Sequence, residues 1–118
     1  MPQYAIFLYA PIDDGHNEPD DGSGREAHDR FSEELQSEGN MIGAFVLESH
    51  ETATSVRADG ITDGPFIEAK EVVLGLYVLE ANNLDEALAN AQRNPILRQG
   101  GGLEVRPIES FVVRPAAG

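Results

Sequence analysis

The 118-residue sequence has no cysteine, which excludes disulfides, thiolate metal sites and cysteine nucleophiles. It has a single lysine, Lys70, and its eight basic residues stand against 21 acidic ones. The net charge of −13 repels phosphate backbones and anionic headgroups, so neither nucleic acid nor a membrane is expected as a partner. An acidic, lysine-poor surface suits a high-salt cytoplasm, and a GC-rich genome biases composition the same way. No apolar run approaches the roughly 20 residues that cross a bilayer. The opening "MPQYAIFLYA" lacks the basic start of a secretory leader and reads as a strand. A cytoplasmic protein is expected.

What is present is enough for a core. Hydrophobic residues make up 41% of the chain, and the length fits one domain over residues 1–118. Residues 3–10 are apolar on both faces, as in a buried strand. The acidic, turn-rich stretch 12–22 reads as a mobile loop. Helical spacing follows over 23–39, with Ser23 as N-cap, Gly39 as terminator and Ala27, Phe31 and Leu35 as the buried stripe. "MIGAFVLES" and "TATSVRADG" read as two strands, and residues 71–81 as another that is apolar on both faces. A second helix starts at Asn83, where Glu86 completes a start like a capping box. Its expected apolar face is Leu84, Ala87, Leu88 and Ala91, and Pro95 lies past its end. Residues 102–113 supply the last strand.

The order β-α-β-β-β-α-β predicts an α+β sandwich of ferredoxin-like type, with helices on one face of an antiparallel sheet. Two helices cover only one face, yet strands 3–10 and 72–81 are apolar on both. A second copy of the sheet would cover the other face, so a homodimer is expected.

Asp63, in "ITDGPFIEAKE", is the first candidate functional residue. A turn Asp usually accepts from the N–H two residues on, and Pro65 has none to give. Its carboxylate can cap the turn through Phe66, or pair with His28, Arg25 or Arg106. Phe66 is expected to anchor the turn in the core. His28 lies roughly 60° from the centre of the helix stripe at about 100° per residue. From that flank an imidazole can be half covered and still reach a cleft, where it serves as acid or base near neutral pH. A boundary histidine bonded locally is the competing reading. His16 and His50 sit in loop and turn contexts and are read as incidental.

Glu104 and Arg106 share one strand face and suit an ion pair or a pocket. The glycines at 100–102 lack the strand–glycine–helix order of a phosphate loop and read as a connection. The oxygens of residues 13–21 match no EF-hand spacing, so no metal site is expected.

The stretches "ITDGPFIEAKE", "LGLYVLEANNLDEALANAQRNP" and "LEVRPIE", with "AIFLYA" as first strand, resemble the YCII-related family in its DGPF branch. The resemblance runs over nearly the whole chain and implies a ferredoxin-like fold pairing into a dimeric α+β barrel. It also implies a dyad of a first-helix histidine and an acid after the strand pair, here His28 and Asp63. Two functional readings follow. In the first, an enzyme without a cofactor does acid/base chemistry on a small lactone-, enol- or haloaromatic-derived metabolite. His28 is the base, Asp63 orients it, and Arg25 or Arg106 holds a substrate carboxylate. In the second, a non-catalytic dimer binds a small molecule or a protein.

Overall fold

The structure, a computed structural model, describes residues 1–12, 23–66 and 70–112. The expected mobile loop (from residue 13 on), His16 and the oxygen-rich stretch 13–21 lie outside the described residues. Elements run β1 (Gln3–Pro11), α1 (Ser23–Glu38), β2 (Met41–Val46), β3 (Thr54–Arg57), β4 (Gly60–Asp63), β5 (Glu71–Glu80), α2 (Leu84–Ala91) and β6 (Gly102–Pro107). Short 3-10 turns occupy His50–Thr52 and Pro95–Gln99.

Four strands form one antiparallel sheet in the order β2-β5-β1-β6. Two helices and this sheet make an α+β fold compatible with the ferredoxin-like sandwich. Alternation sorts the side chains. Tyr4, Ile6 and Leu8 of β1 point to the same face as Tyr77, Leu79, Val105 and Leu103 of their neighbours. There they meet Phe31 and Leu35 of α1 and Ala91 of α2. Phe31 and Tyr77 pack edge to face at 6.3 Å, and Ile6 is fully buried, a burial that stabilises by about 1.5–3 kcal/mol. Arg93 ties the end of α2 to α1 through Glu38 at 2.7 Å and Glu34 at 3.3 Å.

The other face carries Ala5 and Phe7 of β1, Leu76 and Val78 of β5, Phe45 of β2, and Glu104 and Arg106 of β6. No described helix covers it, and Phe45 is 62% exposed. β2 and β5 approach closely in this sheet. A Cβ at Gly75 would strike the backbone carbonyl of Phe45, so only glycine fits there.

Three expectations about elements change. The strand read at 52–60 is a 3-10 turn followed by the first arm of a β3–β4 hairpin, which forms a two-stranded sheet of its own. Arg57 pairs with Gly60 across a two-residue turn at Ala58 and Asp59, so "ADG" marks a hairpin turn and not a strand end. The last strand stops at Pro107 rather than 113, and its pairing with β1 closes one residue on, where the Ile108 N–H goes to the Gln3 carbonyl at 2.9 Å. The buried face of α2 is Ala87, Asn90 and Ala91, while Leu84 and Leu88 are half exposed. Asn90 turns inward because it accepts the Tyr77 hydroxyl at 2.8 Å, and burial pushes that hydroxyl up to about 12.

The start of α2 follows expectation with a shift of one residue. Asn83 Oδ1 accepts from the Glu86 N–H at 3.0 Å, while the Glu86 carboxylate reaches the Asn82 N–H at 2.9 Å. The glycines at 100–102 close the second 3-10 turn, since the N–H groups of Gly100 and Gly101 both go to the Ile96 carbonyl.

Candidate functional site

At one end of the sheet the uncovered face deepens into a cleft of about 720 Å³. Its floor is Phe7, Tyr9, Val73 and Leu76 of β1 and β5, and one wall is the segment Leu47 to Ala53. Pro65 and Phe66 close the other side, with Glu71 and Val72 at the rim. Leu47 donates its N–H to the Leu74 carbonyl at 2.9 Å, which fastens the first wall to the sheet. Ser49 Oγ accepts from the Glu51 N–H at 3.2 Å and so starts the 3-10 turn that carries His50.

The wall at Pro65 is set by the turn leaving the hairpin. Gly64 has φ of +102°, a conformation that L side chains rarely adopt. Its N–H goes to the Ala53 carbonyl at 2.8 Å, and its carbonyl accepts from Ser55 Oγ at 2.6 Å. These bonds leave the carboxylate of Asp63 out of the turn. It is exposed and has no hydrogen-bond or ion-pair partner among the described residues. Phe66, expected in the core, is 55% exposed and stands at the cleft instead. The Arg57 guanidinium stacks on its ring at 3.9 Å.

His28 is half buried on α1, as its flank position predicts, and its Nε2 lies 2.9 Å from Gln99 Oε1. No hydrogen bond among the described residues joins it to Asp63. The reason is topological: α1 packs on the Ile6–Tyr77 face of the sheet, while the turn after Asp63 borders a cleft on the opposite face. Within one chain the expected catalytic pair is therefore not brought together. Arg25 is exposed in the first turns of α1, on the helical side. Arg106 is exposed on the uncovered face of β6, opposite Ala5. Neither lines the cleft.

Beside Arg106, Tyr9 donates its hydroxyl to Glu104 Oε1 at 3.3 Å. Burial, and then the Glu104 charge, raise the Tyr9 phenol above its ordinary value, while Arg106 pulls it back. Glu104 thus serves a tyrosine of the cleft rather than an ion pair with Arg106. Among the described residues, no group of three or more histidine, aspartate or glutamate side chains could hold a metal ion.

Sequence reasoning takes His50 as incidental and does not single out Tyr9 or Arg57. A signal existed for the first, since Ser49 two residues before Glu51 is a turn-starting pattern. Nothing in the sequence said that Tyr9 and Phe66 would meet one cleft, because the hairpin between them was not read.

The family model for the YCII-related domain matches residues 3–112. The chain belongs to the YCII-related family. It is also similar to "Uncharacterized protein R00369" of Rhizobium meliloti (strain 1021), at 44% identity over 55 residues, covering 43% of this chain and 42% of that protein. The match thus spans less than half of that relative's length. No described helix of this YCII-related chain is long and apolar enough to cross a membrane.

Proposed function

We propose that this YCII-related chain is a cytoplasmic small-molecule-binding domain, with its ligand in the cleft between the hairpin exit and the uncovered sheet face. The cleft itself carries the reading. Its volume of about 720 Å³ falls in the range of roughly 300–1,000 Å³ usual for ligand sites. Its floor is mainly apolar and its polar groups are few, namely Glu48, Ser49, His50, Thr52, Glu71 and the Tyr9 hydroxyl. The Asp63-Gly64-Pro65-Phe66 turn that forms one wall supports membership of the DGPF branch. The apolar uncovered face supports pairing with a second copy into a dimeric barrel.

Binding is favoured over acid/base turnover by His28 and Asp63, with Arg25 or Arg106 on a substrate carboxylate. That catalytic reading rests on the family resemblance, and the hydrogen bonding within one chain lends it no support. The imidazole that borders the cleft is His50, so proton transfer to a bound lactone, enol or haloaromatic-derived metabolite would fall to it.

Thermal-shift screening of a metabolite library against wild type and Phe66→Ala tests the site. A ligand that occupies the folded form raises apparent stability. Hits should stabilise the wild type and lose most of that effect in Phe66→Ala. Equal stabilisation of both proteins would place the ligand elsewhere.

A further inference from the structure

We propose that the cleft selects organic cations: a protonated amine or quaternary ammonium group on an apolar body of metabolite size. The inference rests on the binding reading above and specifies its substrate class. Two carboxylates, Glu48 and Glu71, line the cleft, and neither has a hydrogen-bond or ion-pair partner among the described residues. Among the described residues, no arginine or lysine lines it. Three aromatic rings, Phe7, Tyr9 and Phe66, face the same space, and the faces of such rings attract cations. One of them already does so within the chain, since the Arg57 guanidinium sits 3.9 Å from the centre of the Phe66 ring. That arginine also donates to the Phe66 carbonyl at 3.0 Å, which commits it to the wall.

Charge decides among ligands of the same shape. A carboxylate in this cleft would meet two uncompensated negative charges beside apolar walls, where water screens less than in bulk. A neutral ligand would gain the apolar contacts alone. A cation gains those contacts, the aromatic faces and the two carboxylates. The net charge of −13 draws cations to the whole surface, so site binding has to be separated from that diffuse attraction.

Three probes of one shape make the test: phenylbutylamine, phenylbutanol and phenylbutanoate, each titrated into the full chain by calorimetry at pH 8 and moderate salt. The amine should bind about fivefold or more tighter than the alcohol, as one partly screened charge contact allows, and the carboxylate weakest. Glu48→Gln and Glu71→Gln should each narrow the ratio of amine to alcohol affinity. Glu33→Gln, which removes the same charge from the exposed side of α1, should leave that ratio unchanged. If the alcohol or carboxylate binds as tightly as the amine, the charge inference falls and the cleft remains a binding site. If Glu33→Gln narrows the ratio as much as Glu71→Gln, diffuse attraction explains the preference and the inference falls. If none of the three binds, the cleft reading falls with it.

Discussion

The Arg57 guanidinium lies over the Phe66 ring at 3.9 Å and donates from Nη2 to the Phe66 carbonyl at 3.0 Å. One side chain of β3 therefore holds both the ring and the backbone of the residue that closes the cleft. Contacts of this kind at exposed sites contribute about 0.5–1 kcal/mol. Arg57→Ala should change global stability by no more than about that amount. It should, however, speed amide hydrogen exchange at the described residues of the hairpin exit, because local opening no longer breaks a stacked pair. Unchanged exchange there would mean that Gly64 and Ser55 hold the wall alone.

Tyr77 and Asn90 make a buried side-chain pair between sheet and helix, at 2.8 Å. Tyr77→Phe keeps the ring in the core and leaves the Asn90 acceptor without its donor. A buried acceptor stripped of its partner costs about 1–3 kcal/mol, to be read from urea unfolding midpoints. Asn90→Ala should cost no more than that, since the Asn94 side chain also reaches the hydroxyl. A change below about half a kilocalorie in both would show that water reaches this pair.

Acid should loosen the start of α2. The Glu86 carboxylate sits below its ordinary value of 4.5, held there first by the Asn82 backbone N–H and then by the Asn82 side chain. A carboxyl whose pKa is lower folded than unfolded contributes stability above the unfolded value, and loses it as pH falls through the folded one. Wild type should therefore lose stability relative to Glu86→Gln between about pH 5 and the acid side of the folded value. Gln keeps an acceptor for the Asn82 N–H and lacks the charge. Parallel stability curves for the two proteins over that range would show that Glu86 is not a source of acid sensitivity.

His28 should be structurally independent of Asp63. Its ring nitrogen faces Gln99 at 2.9 Å, and the Asp63 carboxylate follows a hairpin on the other side of the sheet. Asp63→Asn should leave the NMR chemical shifts of the His28 ring in place, whereas Gln99→Leu should move them. A His28 shift in the Asn variant would reinstate the dyad, formed in that case by a partner chain.

Much of the fold was legible because its signals are local. The stripe of Phe31 and Leu35, the Asn83 cap and the double-faced strands β1 and β5 each follow from spacing within a dozen residues. The α2 face was misread because Leu84 and Leu88 outrank Asn90 on hydrophobicity, and only the distant Tyr77 hydroxyl makes Asn90 an interior residue. The hairpin was missed because Thr54 to Asp63 alternates like one strand interrupted by a turn. Its detachment from the main sheet follows from β2 pairing with β5 instead. The cleft depends on that detachment, so its residues could not be assembled from sequence. His28 and Asp63 are a pair only by the family resemblance, and the sheet between them is a feature of topology.

The uncovered sheet face leads to the last prediction. Phe45 is 62% exposed beside Leu76 and Val78, and Ala5 and Phe7 continue the apolar surface across β1. A single chain leaves this area against water, whereas a second sheet packed about 10 Å above it would bury both copies at once. An obligate interface of this kind buries on the order of 2,000 Å² or more in total, and its centre excludes charge. Phe45→Asp should barely change the folded single chain, since the side chain meets solvent there. In the dimer the same carboxylate would be desolvated without a partner, which costs several kcal/mol. Sedimentation equilibrium at micromolar concentration should show a dimer for wild type and a folded monomer for Phe45→Asp. A wild-type monomer, or a variant that dimerises as tightly as wild type, would mean that this face is covered in some other way.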